Sequence, residues 1–171
     1  QAISNRNNHI TSGIFGTPIV LTVLSDLNLN DIAYQMATQI DFPGWGHMLS
    51  SGATTLWETW KYSDNVFSHN HPMFGSVGEW MYQSLAGIKA LSPGFKQICI
   101  HPQASGDLQW VNSSYESSRG KITCQWKKEN GIYTLQIHIP ANTKAQVFIP
   151  NRSQSIKESG KSIASSSLIQ I

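Results

Sequence analysis

Cysteine is scarce in this sequence, with Cys99 and Cys124 the two thiols in 171 residues. Two thiols cannot build a disulfide framework, nor a metal site by themselves. A single bridge is one state open to them and buried free thiols are the expected one, which leaves the compartment open. Long apolar runs are also missing. None approaches the roughly 18 residues of a membrane helix, so no membrane association is expected. The start, Gln1-Ala2-Ile3-Ser4-Asn5-Arg6-Asn7-Asn8, has no initiating Met, charged n-region or apolar h-region. It reads as the middle of something longer. Net charge is only +2, too little to argue for a nucleic-acid partner.

The charge is unevenly distributed. Residues 1–90 carry three Lys/Arg (Arg6, Lys61, Lys89) against six Asp/Glu, whereas residues 91–171 carry nine against four. Lys127-Lys128 and the stretch from Lys157 to Lys161 read as solvated strand edges and turns rather than as a binding patch. The hydrophobic period changes at the same point. Before residue 90 it is helical: Thr17 can cap, Pro18 suits a first helical position, and Ile19 to Leu27 is apolar almost all round. Asp31 can cap a second helix whose Ala33, Met36, Ala37 and Ile40 share a face, so the two should form an antiparallel hairpin. Residues 41–47 read as a loop. A further helix is expected from Ser76 to about Ala90, with Val77, Trp80, Met81, Leu85 and Ile88 on its apolar face and Ser76-x-x-Glu79 as a structural capping box.

After Leu91-Ser92-Pro93-Gly94 the period is two. Ile98 and Ile100 alternate, and Ile122, Cys124 and Trp126 share a face. Asn130-Gly131 makes a tight turn, and Tyr133, Leu135, Ile137 and Ile139 return. Ala145, Val147 and Ile149 give another strand before Pro150. The last 21 residues hold seven serines, yet Ile156, Ile163, Leu168, Ile169 and Ile171 flank a Ser159-Gly160 turn, which predicts a final hairpin and strand. Short antiparallel strands at this spacing imply a β-sandwich.

The chemistry centres on Gly52-Ala53-Thr54-Thr55-Leu56-Trp57-Glu58-Thr59-Trp60, which places one carboxylate among indoles after a glycine-bearing, turn-prone run. Indole faces cover the apolar C–H patches of a pyranose, and a carboxylate in partly apolar surroundings can be tuned to move a proton. Sugar chemistry is one reading. The other is structural, because Thr55-x-x-Glu58 is also a capping box. A helix starting near Thr54 would put Trp57 and Trp60 on one side with Glu58 about 100° round from Trp57, so spacing leaves both readings open. In Ser68-His69-Asn70-His71-Pro72, two histidines could ligate a metal, but no Cys or carboxylate pattern completes a site. No metal is expected there.

Four stretches resemble the C-terminal part of the bacterial α-L-rhamnosidase family of glycoside hydrolases: Thr11 to Pro18, Gly52 to Trp60, Ser68 to Ala86 with its Phe74-Gly75-Ser76-Val77-Gly78-Glu79-Trp80, and Ile139 to Thr143. They run in order through nearly the whole chain. The resemblance implies an α+β chain in two parts, the terminal helical hairpins of an (α/α)6 barrel over 1–90 and a C-terminal antiparallel β-sandwich over 91–171. It places Glu58 at the family's general base. Such enzymes invert configuration, the base activating a water opposite the leaving group; the general acid lies earlier in the barrel, upstream of these residues. His71 matches a substrate-contacting histidine, while the family more often has an aromatic where His69 stands. Trp45 fits a sugar platform on placement alone, or equally a packing tryptophan. The implied partners are a rhamnose-containing glycoside and the missing N-terminal barrel portion, with no cofactor. The family tilts the compartment towards periplasmic or extracellular.

The expected function is therefore a C-terminal fragment of an inverting α-L-rhamnosidase, supplying the base. The alternatives are a carbohydrate-binding or structural unit, or a related α-barrel acting on another sugar. Surface aromatics on the sandwich discriminate: Trp110 and Trp126 are its tryptophans, and Trp126, alternating with Ile122 and Cys124, should be core. The all-round apolar Ile19–Leu27 helix has too few neighbours in 1–90 to cover it. The chain alone should thus dimerise, aggregate or stay attached to the missing barrel portion, and should be inactive.

Overall fold

Side-chain pull, more than capping chemistry, sets where the helices begin and end. The computed structural model describes residues 6–64, 66–149, 155–163 and 168–170. It divides into two units, one running to Met81 and taking in Ser105–Asp107, the other comprising the rest from Tyr82 onward. Helix α1 spans Gly16–Asp26. Thr17, expected to cap it, lies inside instead: its hydroxyl donates back to the Gly13 carbonyl at 2.9 Å and so anchors the preceding loop. The helix closes at Asn28, whose left-handed φ of 58° suits an asparagine just past a helix end, and Leu29 N–H donates to Leu24 O at 2.8 Å.

Helix α2 (Asn30–Thr38) completes the hairpin. Asp31 does not cap it either; its carboxylate accepts Gly106 N–H at 2.9 Å. Asn30 stands at the centre of a buried polar network. Its Oδ1 accepts from Ser25 Oγ at 2.7 Å and from Trp80 Nε1 at 3.0 Å, and its Nδ2 donates to Ser105 Oγ at 3.0 Å. These bonds satisfy polar groups that burial would otherwise penalise, and they hold Ser105–Asp107 to the helical unit. Helix α3 (Trp45–Ser50) is short and forms where a loop was expected. Helix α4 (Ser76–Trp80) follows a 3-10 turn over Pro72–Gly75 and runs on as a π-helical turn, Met81–Leu85. Its capping box does not form: Gly75 occupies the N-cap, and the buried Ser76 hydroxyl has no partner among the described residues.

The helix predicted to reach Ala90 stops at Leu85, because Gly87 takes a φ of +76° and the next residues are strand β1 (Ile88–Ala90). A Cβ on Gly87 would lie 2.1 Å from Pro102 N, so only glycine fits this crossing. Strands β2 (Gln97–Ile100), β6 (Lys144–Phe148) and β9 (Leu168–Gln170) join β1 in a four-stranded sheet ordered β1-β2-β6-β9. The three-stranded meander is β3 (Trp110–Ser117), β4 (Gly120–Glu129) and β5 (Ile132–His138), with Asn130-Gly131 turning the second hairpin at positive φ as expected. Strands β7 (Ile156–Glu158) and β8 (Lys161–Ile163) form the predicted Ser159-Gly160 hairpin. Pro150 and Ile171 fall outside the described residues.

One pairing departs from the all-antiparallel expectation. Strands β2 and β6 run parallel, Ile98 opposite Ala145 and Ile100 opposite Val147. A parallel pair needs a long crossover, and the whole meander supplies it. The two sheets then face one another as a sandwich, with Ile88, Ile98, Ile100, Ala145 and Val147 of one against Ile122 and Cys124 of the other. Trp126 is buried as expected, its indole N–H donating to Leu85 O at 2.8 Å and its ring stacked on Tyr133. Both cysteines are free and buried; desolvation pushes the Cys124 thiol up to about 12.

Candidate functional site

Around Glu58 the local signal and the packing signal compete, and packing prevails. No helix forms over 53–64, so the Thr55–Glu58 capping box does not exist in the structure. Trp57 and Trp60 are both buried. Trp60 stacks on Phe74 with ring centroids 3.8 Å apart, and its indole N–H donates to Ser12 O at 2.7 Å. A short helix cannot satisfy these separate anchors together, and each large indole buries more apolar area than one cap bond would offset. Three of the stretches singled out in the sequence, 11–18, 52–60 and 68–86, thereby converge on one aromatic cluster.

The irregular segment is instead clamped to the loop that carries the histidines. Glu58 N–H donates to Ser68 O at 2.9 Å, and His71 N–H donates to Leu56 O at 2.8 Å. The Thr55 hydroxyl, free of any capping duty, donates to the His69 carbonyl. Within this ladder Glu58 is half-buried, and its Oε2 accepts Ser68 N–H at 2.9 Å. Its Oε1 has no partner among the described residues. Backbone on one side and side chain on the other thus fix the carboxylate with one oxygen held and one free.

His71 is brought to the same ladder. It precedes the 3-10 turn in extended conformation, is half-buried, and its ring makes no hydrogen bond to any described residue. Trp45 is placed differently from a sugar platform. It is only 8% exposed, donates its indole N–H to Phe74 O at 3.0 Å, and meets Trp60 edge-to-face at 5.0 Å. Its packing role is the one the structure describes.

Sequence reasoning missed a second aromatic group flanking Glu58. Trp57 packs against Tyr62 at 5.2 Å, His69 at 5.9 Å and His47 at 6.5 Å, and Tyr62 lies over His69 at 4.5 Å. Tyr62 remains 50% exposed, and its phenol is raised by a hydrogen bond to Asp64 and by that carboxylate's charge. The His69 ring contacts Ser63 O at 2.5 Å, which ties Ser63 to the cluster. The sequence signal was present as aromatics within irregular stretches, but no period linked them. Among the described residues no three His, Cys, Asp or Glu side chains gather as a metal site.

Comparison with known proteins shows the family. Residues 1–85 match the family model described as the bacterial alpha-L-rhamnosidase 6 hairpin glycosidase domain, and residues 87–164 match the bacterial alpha-L-rhamnosidase C-terminal domain. An alpha-L-rhamnosidase of Streptomyces avermitilis is 36% identical over 150 residues, covering 83% of this chain and 15% of the relative. One from Formosa agariphila is 32% identical over 166 residues, covering 92% of this chain and 18% of the relative. The solved alpha-L-rhamnosidase of Dictyoglumus thermophilum superposes with a TM-score of 0.93 at 30% identity, over 98% of this chain and 20% of that one. The Streptomyces avermitilis enzyme complexed with L-rhamnose gives 0.87 at 30% identity, over 99% of this chain and 18% of that one. The chain therefore spans less than a fifth of the length of these curated relatives.

Proposed function

We propose, for a chain that belongs to the bacterial α-L-rhamnosidase family, that it forms the base-bearing part of an inverting glycosidase acting on terminal α-L-rhamnosides. The observation that carries this reading is the Glu58 carboxylate, held by Ser68 N–H through one oxygen while the other has no partner among the described residues. A base needs that asymmetry: an anchored oxygen for orientation and a free one to take a proton from water. His71, whose ring is unengaged, is proposed to hold a rhamnose hydroxyl. Trp45 stands behind these residues, keeping Trp60 and Phe74 in place. In an inverting pair the two carboxyl groups stand about 6.5–9.5 Å apart to admit the water. The acid is proposed to come from barrel residues outside these 171.

The test is Glu58→Gln in the complete enzyme, assayed on an aryl α-L-rhamnoside. The amide keeps the shape but cannot accept the proton, so hydrolysis should fall by about 10²-fold or more while rhamnose binding persists. Proton NMR of the wild-type reaction should show the β-anomer as first product. Activity within about tenfold of wild type would leave Glu58 as a loop clamp only.

A further inference from the structure

The outer face of the three-stranded sheet carries a feature that hydrolysis does not use. Of the six tryptophans, five are buried and Trp110 is 62% exposed. It opens strand β3 and points, by strand alternation, to the same face as Asn112 and Ser114. Opposite these residues in register stand Lys127 and Thr134, then Gln125 and Gln136, then Thr123 and His138. Asn112, Gln125 and Gln136 thus form an amide row straight across three strands, and Gln125 Nε2 donates to Asn112 Oδ1 at 2.8 Å. That bond orients both amides and leaves Asn112 Nδ2 as a donor and Gln125 Oε1 as an acceptor, side by side.

The charges on this face balance in sign. Lys127 pairs with Glu129 at 2.8 Å, and Lys121 stands opposite Glu116 in register. Apart from Trp110, the outward apolar side chain is Ile132 at the far end of β5. A protein partner would call for several clustered apolar anchors, and an acidic partner for unpaired lysines. One flat indole beside a row of oriented amides instead matches a pyranose, which has an apolar C–H face and a rim of hydroxyls that both donate and accept.

We propose that this face is a neutral-glycan-binding surface, with Trp110 as the stacking platform and Asn112, Gln125 and Gln136 as hydroxyl partners. The proposal does not rest on the role of Glu58.

Iodide quenching reads the site directly, since Trp110 supplies the accessible tryptophan emission. The 171-residue chain is titrated with a soluble neutral galactan, a xylan-derived oligosaccharide and free L-rhamnose. At least one should protect Trp110 saturably, and a polysaccharide of the protecting sugar cast in a native gel should retard the chain. Retardation should be lost in Trp110→Ala, restored in Trp110→Tyr and unchanged in Glu58→Gln. Failure of all three sugars to protect, or equal retardation of Trp110→Ala, overturns the proposal. Shielding that depends on protein concentration but not on sugar does so too, and assigns the face to contact between copies.

Discussion

A carboxylate bound at one oxygen and a histidine with an unengaged ring answer to different measurements. Removing His71 leaves the His71 N–H to Leu56 O bond intact, because that bond is backbone to backbone. His71→Ala should therefore fold normally and melt within about 0.5 kcal/mol of wild type, as surface-loop substitutions usually do. In the complete enzyme it should weaken rhamnose binding by about tenfold, the loss of one or two hydrogen bonds to a sugar. An unchanged dissociation constant for rhamnose in calorimetry would remove His71 from the site. At this scale the sequence was only partly readable. Glu58 and His71 stood out by motif, but the choice between cap and free carboxylate depended on where Trp60 is anchored, and its anchors, Ser12 and Phe74, lie outside the motif. Trp45 looked equally suited to packing and to sugar for the same reason.

Among the elements, strands were more legible than helices. Alternation fixes a strand's inner face directly, so Ile122, Cys124 and Trp126 fell into the core as read. The parallel β2–β6 pairing was not legible, since register across a long crossover leaves no local trace. Helix ends misled because capping residues have other uses here: Thr17 ties down Gly13, Asp31 takes Gly106 N–H, and the Ser76 hydroxyl caps nothing. The 76–90 segment shows a missed signal. Ile88 fits a helical face by spacing, but Gly87 before it ends the helical run and lets His101 N–H reach Gly87 O at 2.8 Å. Gly87→Ala would combine a left-handed φ with a Cβ pressed onto the Pro102 backbone. It should destabilise by about 2 kcal/mol or more, read as a lowered denaturant midpoint for the sandwich, whereas Gly131→Ala, with open space around its Cβ, should cost less.

For the chain as a whole, the decisive feature is the side of α1 that its neighbours leave uncovered. Leu21 and Leu24 are fully or nearly buried, but Phe15, Ile19, Val23 and Leu27, spaced four apart, line another side, and Phe15 and Ile19 are 77% and 63% exposed. The sequence foretold this, because a helix apolar almost all round needs more neighbours than α2 and α4 provide. Four large side chains in one row approach or exceed the few hundred Å² that soluble monomers usually expose. The isolated 171-residue chain should therefore self-associate, with light scattering giving a mass that rises with concentration. Replacing Ile19 and Val23 by Lys should restore a monomer without disturbing the core, since both project away from Leu21 and Leu24. Self-association alone would not show what the stripe normally meets, so the enzymatic arm is needed as well. On the proposal that Glu58 is the base and the acid comes from other barrel residues, nothing in the isolated chain protonates the leaving oxygen; it should leave an aryl α-L-rhamnoside unhydrolysed, and adding the remaining barrel hairpins in trans should both suppress self-association and bring activity. A monodisperse monomer that turns over the substrate by itself would mean that acid and base both lie within these 171 residues, and the division of labour proposed for the barrel would have to be abandoned.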